Sequence, residues 1–94
     1  MVSSIMPVQA HKGNVQVYPN PFTNNTTVSI ELEEEAVIGI EILDVSGKLI
    51  ASLVQDQSAI GRKTFTIDQI ENAGLYFVKI SINDRTEVIR IAKN

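Results

Sequence analysis

The residues that could act as catalytic acids, bases or metal ligands are few and widely separated. His11 is the only histidine, and the chain contains no cysteine. Nucleophilic catalysis needs a nucleophile beside a base that a third group orients. Zinc and iron sites in proteins are built mainly from histidine and cysteine ligands. One histidine and no thiol therefore argue against both kinds of site, and we expect no cofactor.

The carboxylates do not form a catalytic or calcium-binding pattern either. Three adjacent glutamates occupy positions 33–35, and the aspartates stand singly at Asp44, Asp56, Asp68 and Asp84. Glycoside hydrolysis needs two carboxyl groups held across a cleft, and calcium needs several convergent oxygens. Neighbouring residues of an extended chain point in different directions, and an isolated aspartate is typical of a turn. We interpret 33–35 as a solvated connection and predict that the chain is not an enzyme.

Length and composition indicate one folded domain. The chain has 94 residues, of which 44% are hydrophobic and 20% are charged, as in ordinary globular domains. The net charge is −3, the pI is about 5.0, and the basic residues are scattered, which argues against a nucleic-acid partner. No apolar run approaches the length of about 20 residues that spans a bilayer, so we expect no membrane insertion. Residues 1–13 lack the pattern of a signal peptide and are predicted to be a linker.

From residue 14 onward, short β-branched runs alternate with turn residues. In the run 26–32, Val28, Ile30 and Leu32 share one face, and in the run 36–45 the isoleucines at even positions do the same. Ser46 and Gly47 predict a tight hairpin turn. The predicted strands cover residues 15–18, 26–32, 36–45, 49–54, 62–67, 74–82 and 86–92. About seven strands and no helix predict an all-β fold, an antiparallel immunoglobulin-like β-sandwich.

Three motifs in order carry a resemblance to a known family. They are Val-Tyr-Pro-Asn-Pro at 17–21, Ile-Leu-Asp-Val-Ser-Gly-Lys at 42–48 and Ala-Gly-Leu-Tyr-Phe-Val-Lys-Ile at 73–80. With these motifs, over about residues 15–94, the chain resembles the type A C-terminal sorting domain of the type IX secretion system of Bacteroidetes. The segment 85–90 departs from the common pattern of that family, because Glu87 lies among its basic residues.

The resemblance implies a sorting signal that carries an address and no catalytic activity. On this resemblance, a cargo protein joined upstream reaches the periplasm. Its C-terminal domain folds there and is recognised by an outer-membrane translocon. The cargo ends at the cell surface or outside the cell, and in many members a sortase-like peptidase cuts upstream of the domain and anchors the cargo. On this basis residues 1–13 link to the cargo and residues 14–94 form the sorting domain. The alternative is a non-catalytic β-sandwich module for adhesion, or for binding a glycan or a protein, on a secreted enzyme.

The resemblance also supplies candidate recognition residues. These candidates are Tyr18, Pro19, Asn20, Pro21, Gly74, Tyr76, Arg90, Ile91, Lys93 and Asn94. Each motif also has a purely structural interpretation: the prolines can end an edge strand, and Tyr76 can lie in the core with its hydroxyl on a loop carbonyl. If residues 86–94 form an edge strand, we expect them to offer unpaired backbone groups to a partner that adds strands.

Overall fold

The computed structural model describes residues 13–94, which form antiparallel β-strands and no helix. The five strands are β1 (Gly13–Tyr18), β2 (Thr26–Asp44), β3 (Leu49–Ile67), β4 (Gly74–Ile82) and β5 (Arg85–Lys93). No segment of this range is a helix with the length and hydropathy needed to cross a membrane. The predicted all-β, antiparallel fold is confirmed.

The long strand β2 pairs with three other strands and organises the sheet. β3 runs beside it along most of its length. On its other side, β1 covers the first half, with Val17 opposite Val28, and β4 covers the second half, with Ile80 opposite Ile40. β5 pairs with β4 and ends that side of the sheet. The prediction that the second half of β2 is a central strand is therefore confirmed.

The core forms because the sheet curls and brings both halves of β2 against each other. The buried side chains of β2 are Val28, Ile30, Leu32, Ala36, Ile38, Ile40 and Ile42. Their alternation with more exposed residues follows the two-residue period of a strand. Ile67, Val78 and Ile91 join the same cluster from the neighbouring strands. The inward rows predicted from the sequence are confirmed. Tyr76 and Ile82, at the two ends of the row in β4, are only partly buried.

The prediction of about seven strands is wrong in number, and the immunoglobulin-like sandwich is not confirmed. The acidic run 33–35 does not end a strand, because β2 continues through it with a register shift between Leu32 and Ala36. The polar stretch 55–61 likewise lies within β3, where Asp56 and Gly61 adopt φ values of 47° and 82°. A β-bulge accommodates extra residues while the ladder continues. Exposed polar residues in these bulges therefore resembled connections.

Two connecting segments contribute core residues that the sequence analysis did not assign. Phe22, between β1 and β2, is 2% exposed, and Ile70, between β3 and β4, is 4% exposed. The hydroxyl of Thr26 is also buried, and it donates a hydrogen bond of 2.6 Å to the carbonyl of Pro19. Phe22 and Ile70 thus fix the two connections to the core, and the Thr26 hydrogen bond adds a second contact to the first connection.

The predicted linker lies almost entirely outside the described residues. His11 is among the residues that the structure does not describe, so its assignment as a linker residue stays a prediction. Gly13, predicted to be the last linker residue, belongs to β1.

The predicted hairpin turn joins β2 to β3 and is organised by the Asp44 carboxylate. Asp44 Oδ1 accepts hydrogen bonds from the Ser46 hydroxyl at 2.6 Å, the Ser46 amide at 2.9 Å and the Lys48 amide at 2.9 Å. The Asp44 amide donates to the Lys48 carbonyl, and Gly47 adopts a φ of 88°. The Ser46 hydroxyl first, and then the Lys48 amide, hold the pKa of Asp44 below its ordinary value of 3.8.

The lowered pKa of Asp44 predicts that the free energy of unfolding depends on pH. Because the pKa is lower in the folded state, the carboxylate's contribution is fully present above pH 3.8 and is lost as the pH falls through the folded-state pKa. We expect Asp44→Ala to unfold at lower urea concentration than the wild type at pH 7. The difference should shrink progressively below pH 3.8. Urea unfolding at pH 7 and at lower pH measures it, and a difference that does not change with pH contradicts the assignment.

Candidate functional site

The segment 19–22 leaves β1 and makes hydrogen bonds to the last strand. Asn20 Nδ2 donates to the Arg90 carbonyl at 3.0 Å, and the Ala92 amide donates to Asn20 Oδ1 at 3.1 Å. A carboxamide carries one donor group and one acceptor group side by side, like a backbone peptide unit. The Asn20 side chain therefore occupies the place of a peptide unit in a neighbouring strand.

The backbone of Phe22 continues this pairing to the end of the chain. Its amide donates to the Ala92 carbonyl at 2.9 Å, and its carbonyl accepts from the Asn94 amide at 2.9 Å. Phe22 and Lys93 form a parallel bridge. The buried ring of Phe22 anchors this backbone in the core. We call the contact of Asn20 and Phe22 with residues 90–94 the joint.

The proline residues of the first motif shape this segment. Proline has no backbone amide and fixes φ, so the segment cannot extend the β1 ladder. Both proline peptide bonds are cis. The Pro19 carbonyl binds the buried Thr26 hydroxyl, whereas Tyr18 stays half exposed at the end of β1. Pro19 and Pro21 therefore end the β1 ladder, as the structural interpretation predicts, and they also flank Asn20, whose side chain forms the joint.

The third motif lies directly opposite the joint. Gly74 pairs with Lys93, and Tyr76 pairs with Ile91. Gly74 has a φ of 146°, a backbone conformation that residues with a side chain rarely adopt. The Tyr76 hydroxyl donates to the Asn72 carbonyl at 2.7 Å. That hydrogen bond is the structural role predicted for Tyr76, with a ring only partly buried.

The last residues differ in what they offer to a partner. Ile91 is 1% exposed and belongs to the core. Lys93 is partly buried, and its Nζ donates to the Ile70 carbonyl at 2.9 Å and the Glu71 carbonyl at 3.2 Å. Arg90 and Asn94 are exposed. Of the candidates in β5 and the tail, Arg90 and Asn94 are accessible, while Ile91 and Lys93 hold the strand in place.

The expectation that residues 86–94 offer unpaired backbone groups does not hold for the whole strand. β5 is indeed at the edge of the sheet order. Asn20 and Phe22, however, bind its outer edge from the Arg90 carbonyl to the Asn94 amide. The reason is that a side-chain amide and an isolated backbone stretch can satisfy an edge without forming a strand. This part of the edge is therefore not open to a partner.

Leu75 and Ala92 belong to this surface and were not predicted. With Asn20, Arg90 and Ile91 they line an open depression beside the joint. Leu75 is 48% exposed and lies opposite Ala92. The feature of the sequence that could have identified Leu75 is a leucine at a position that the alternation of the strand assigns to solvent.

The site offers binding contacts and no visible catalytic machinery. Among residues 13–94, no three acidic or histidine side chains gather where they could hold a metal ion. The groups near the joint are backbone amides and carbonyls, a guanidinium, and apolar side chains. Such a surface can recognise a partner by shape, charge and hydrogen bonds.

Comparison with known families gives one match. A family model described as a secretion system C-terminal sorting domain matches residues 16–94. The matched range runs from β1 to the last residue and so contains the whole joint. No curated protein matches the chain.

The Asn20 side chain should contribute measurably to stability. We expect Asn20→Ala to lower the free energy of unfolding by about 1–3 kcal/mol, because it removes two hydrogen bonds. Asn20→Asp should be comparably destabilised at pH 7, since a carboxylate cannot donate to the Arg90 carbonyl. It should recover relative to the wild type in acid, where a protonated carboxyl regains one donor. Urea unfolding measures both effects.

Asn24→Ala is the matched control, because Asn24 is exposed and makes no side-chain hydrogen bond within residues 13–94. If Asn20→Ala and Asn24→Ala unfold at the same urea concentration, the joint does not stabilise the fold.

Proposed function

The chain belongs to the family of secretion system C-terminal sorting domains. We propose that its address, meaning the surface that the export machinery recognises, is the surface formed by the joint. Domains of this family are the C-terminal sorting signals of type IX secretion. The chain thus directs export across the outer membrane, to the cell surface or outside the cell. Membership also implies a type IX secretion machinery and an upstream cargo.

The observation that supports recognition at the joint is the pair of hydrogen bonds made by the Asn20 side chain. They join Asn20 to residues 70 and 72 positions later. They also bring the first motif, the third motif and the last strand to one end of the domain. A rigid surface binds with little loss of conformational entropy. Exposed Tyr18, Arg90 and Asn94 then supply its accessible polar groups.

The partners follow from the kind of signal. The outer-membrane translocon reads the joint after the domain has folded in the periplasm. A sortase-like peptidase then cuts upstream of β1, in the predicted linker 1–13 that connects cargo to residues 14–94.

A glycan-binding or adhesion module is not favoured. Glycan recognition by a flat surface uses a platform of exposed aromatic rings. Tyr18 is the one aromatic residue of 13–94 that is half exposed or more, while Phe22 is buried and Phe65 and Tyr76 pack against the core. The family of sorting domains is not catalytic.

Charge reversal at Arg90 tests the proposed address. The Arg90 guanidinium is exposed and makes no ion pair within residues 13–94. A reporter joined ahead of the chain should be exported by a type IX-competent bacterium. Arg90→Glu should lower export by about tenfold or more, because a reversed charge repels the complementary surface of a partner. The measurement is the fraction of reporter outside the cell.

Lys63→Glu is the control, since Lys63 is an exposed cation on β3, away from the joint. Both variants should retain the wild-type midpoint of urea unfolding. Equal export by Arg90→Glu and Lys63→Glu would show that the address lies elsewhere.

A further inference from the structure

The outer edge of β5 is only partly occupied. The Arg90 carbonyl and both backbone groups of Ala92 point away from β4 towards the 19–22 segment. In an antiparallel strand, alternate residues direct their backbone groups to the same side. The amides and carbonyls of Thr86 and Val88, and the amide of Arg90, therefore point outward as well. Within residues 13–94, no strand pairs with this stretch.

This stretch, residues 86–90, has one feature that protects an edge, the charge of Glu87 opposite Ile80 on the inward face, and lacks most of the others. Natural sheets block their edges with prolines, bulges, very short strands or inward charges. β5 has nine residues, contains no proline, and keeps an unbroken register with β4. Val88, at the centre of the stretch, is 56% exposed. The edge is regular, with an apolar residue in its middle.

We propose that residues 86–90 of β5 receive an extended segment of the export machinery, which adds to the sheet as a further strand. This inference rests on the proposed function and specifies how the joint's surface is bound. The unpaired amides and carbonyls require a partner with a regular extended backbone. At a rise of about 3.4 Å per residue, the stretch accommodates roughly five residues of that partner.

Neighbouring side chains define the chemistry of the partner segment. Val88 and Arg90 lie on one face of β5, beside Lys79 and Phe77 of β4. Leu75 adds an exposed apolar surface next to Ala92. The partner segment therefore carries an apolar side chain against Val88 and a carboxylate against the Arg90 guanidinium. The 19–22 segment sets the limit of the added strand, because it already occupies the Arg90 carbonyl.

Proline at position 88 tests the added strand. Val88 directs its amide outward, so Val88→Pro removes an outward donor and leaves the ladder to β4 made by its neighbours. We expect export of the fused reporter to fall about tenfold, with a small change in the midpoint of urea unfolding. Val88→Thr keeps the amide and the branched shape and should be exported close to the wild-type level. Should Val88→Pro not fold, Thr86→Pro makes the same test one outward position earlier.

Photo-crosslinking identifies the occupant. A photoreactive benzoyl-phenylalanine in place of Thr86 should form an adduct with an export-machinery protein. The same residue in place of Val37, which is 43% exposed on β2, should not. An adduct only with a second copy of the chain, or only with its own residues 1–12, overturns the proposal.

The two proposals fail differently. Normal export of Val88→Pro together with blocked export of Arg90→Glu rejects the added strand and keeps the joint as the address. Normal export of both variants rejects both proposals. Blocked export of Val88→Pro with normal export of Val88→Thr supports the added strand.

Discussion

Burial of one face of β2 is the constraint on which the rest of the structure depends. Aliphatic side chains recur at alternate positions on both sides of the 33–35 bulge, and a flat sheet would leave them in water. Each fully buried aliphatic side chain stabilises the fold by about 1.5–3 kcal/mol relative to exposure. The sheet therefore curls, and curling brings the 19–22 segment, which follows β1, against β5. Asn20 and Phe22 complete the contact there.

The structure unites two interpretations that sequence patterns leave separate. The first motif ends an edge strand, and it also binds the last strand through Asn20. The third motif packs Tyr76 at the end of the core, and it also lies opposite Ile91 and Lys93. These structural roles hold the exposed groups of the joint in fixed positions. A residue can thus fix the position of exposed groups without being exposed itself.

Local alternation allowed much of the fold to be predicted. The inward rows of β2 and β4, the Ser46–Gly47 turn and the all-β class all follow from patterns a few residues long. The strand number did not, because a bulge and a loop have the same polar composition and only the partner strand distinguishes them. Phe22 was missed since an isolated aromatic residue has no periodicity around it.

The site was predictable only in part for a similar reason. The family resemblance that the three motifs carried agrees with the family match over residues 16–94, while the recognition residues taken from these motifs stay a prediction. The pairing of Asn20 with residues 90 and 92 depends on how the whole sheet curls. No short-range rule encodes it. The occupied half of the β5 edge was therefore invisible in the sequence, whereas open backbone groups in residues 86–94 were expected if these residues formed an edge strand.

The long separation between Asn20 and its partners has a consequence for biosynthesis. A ribosome has to translate Ala92 before the Asn20 carboxamide has anything to bind. An interrupted translation product, or one trimmed by an exopeptidase, would keep most of β2 and β3 and still lack the joint. The joint therefore forms only after residues 20–92 have been synthesised, which makes it a late step in folding.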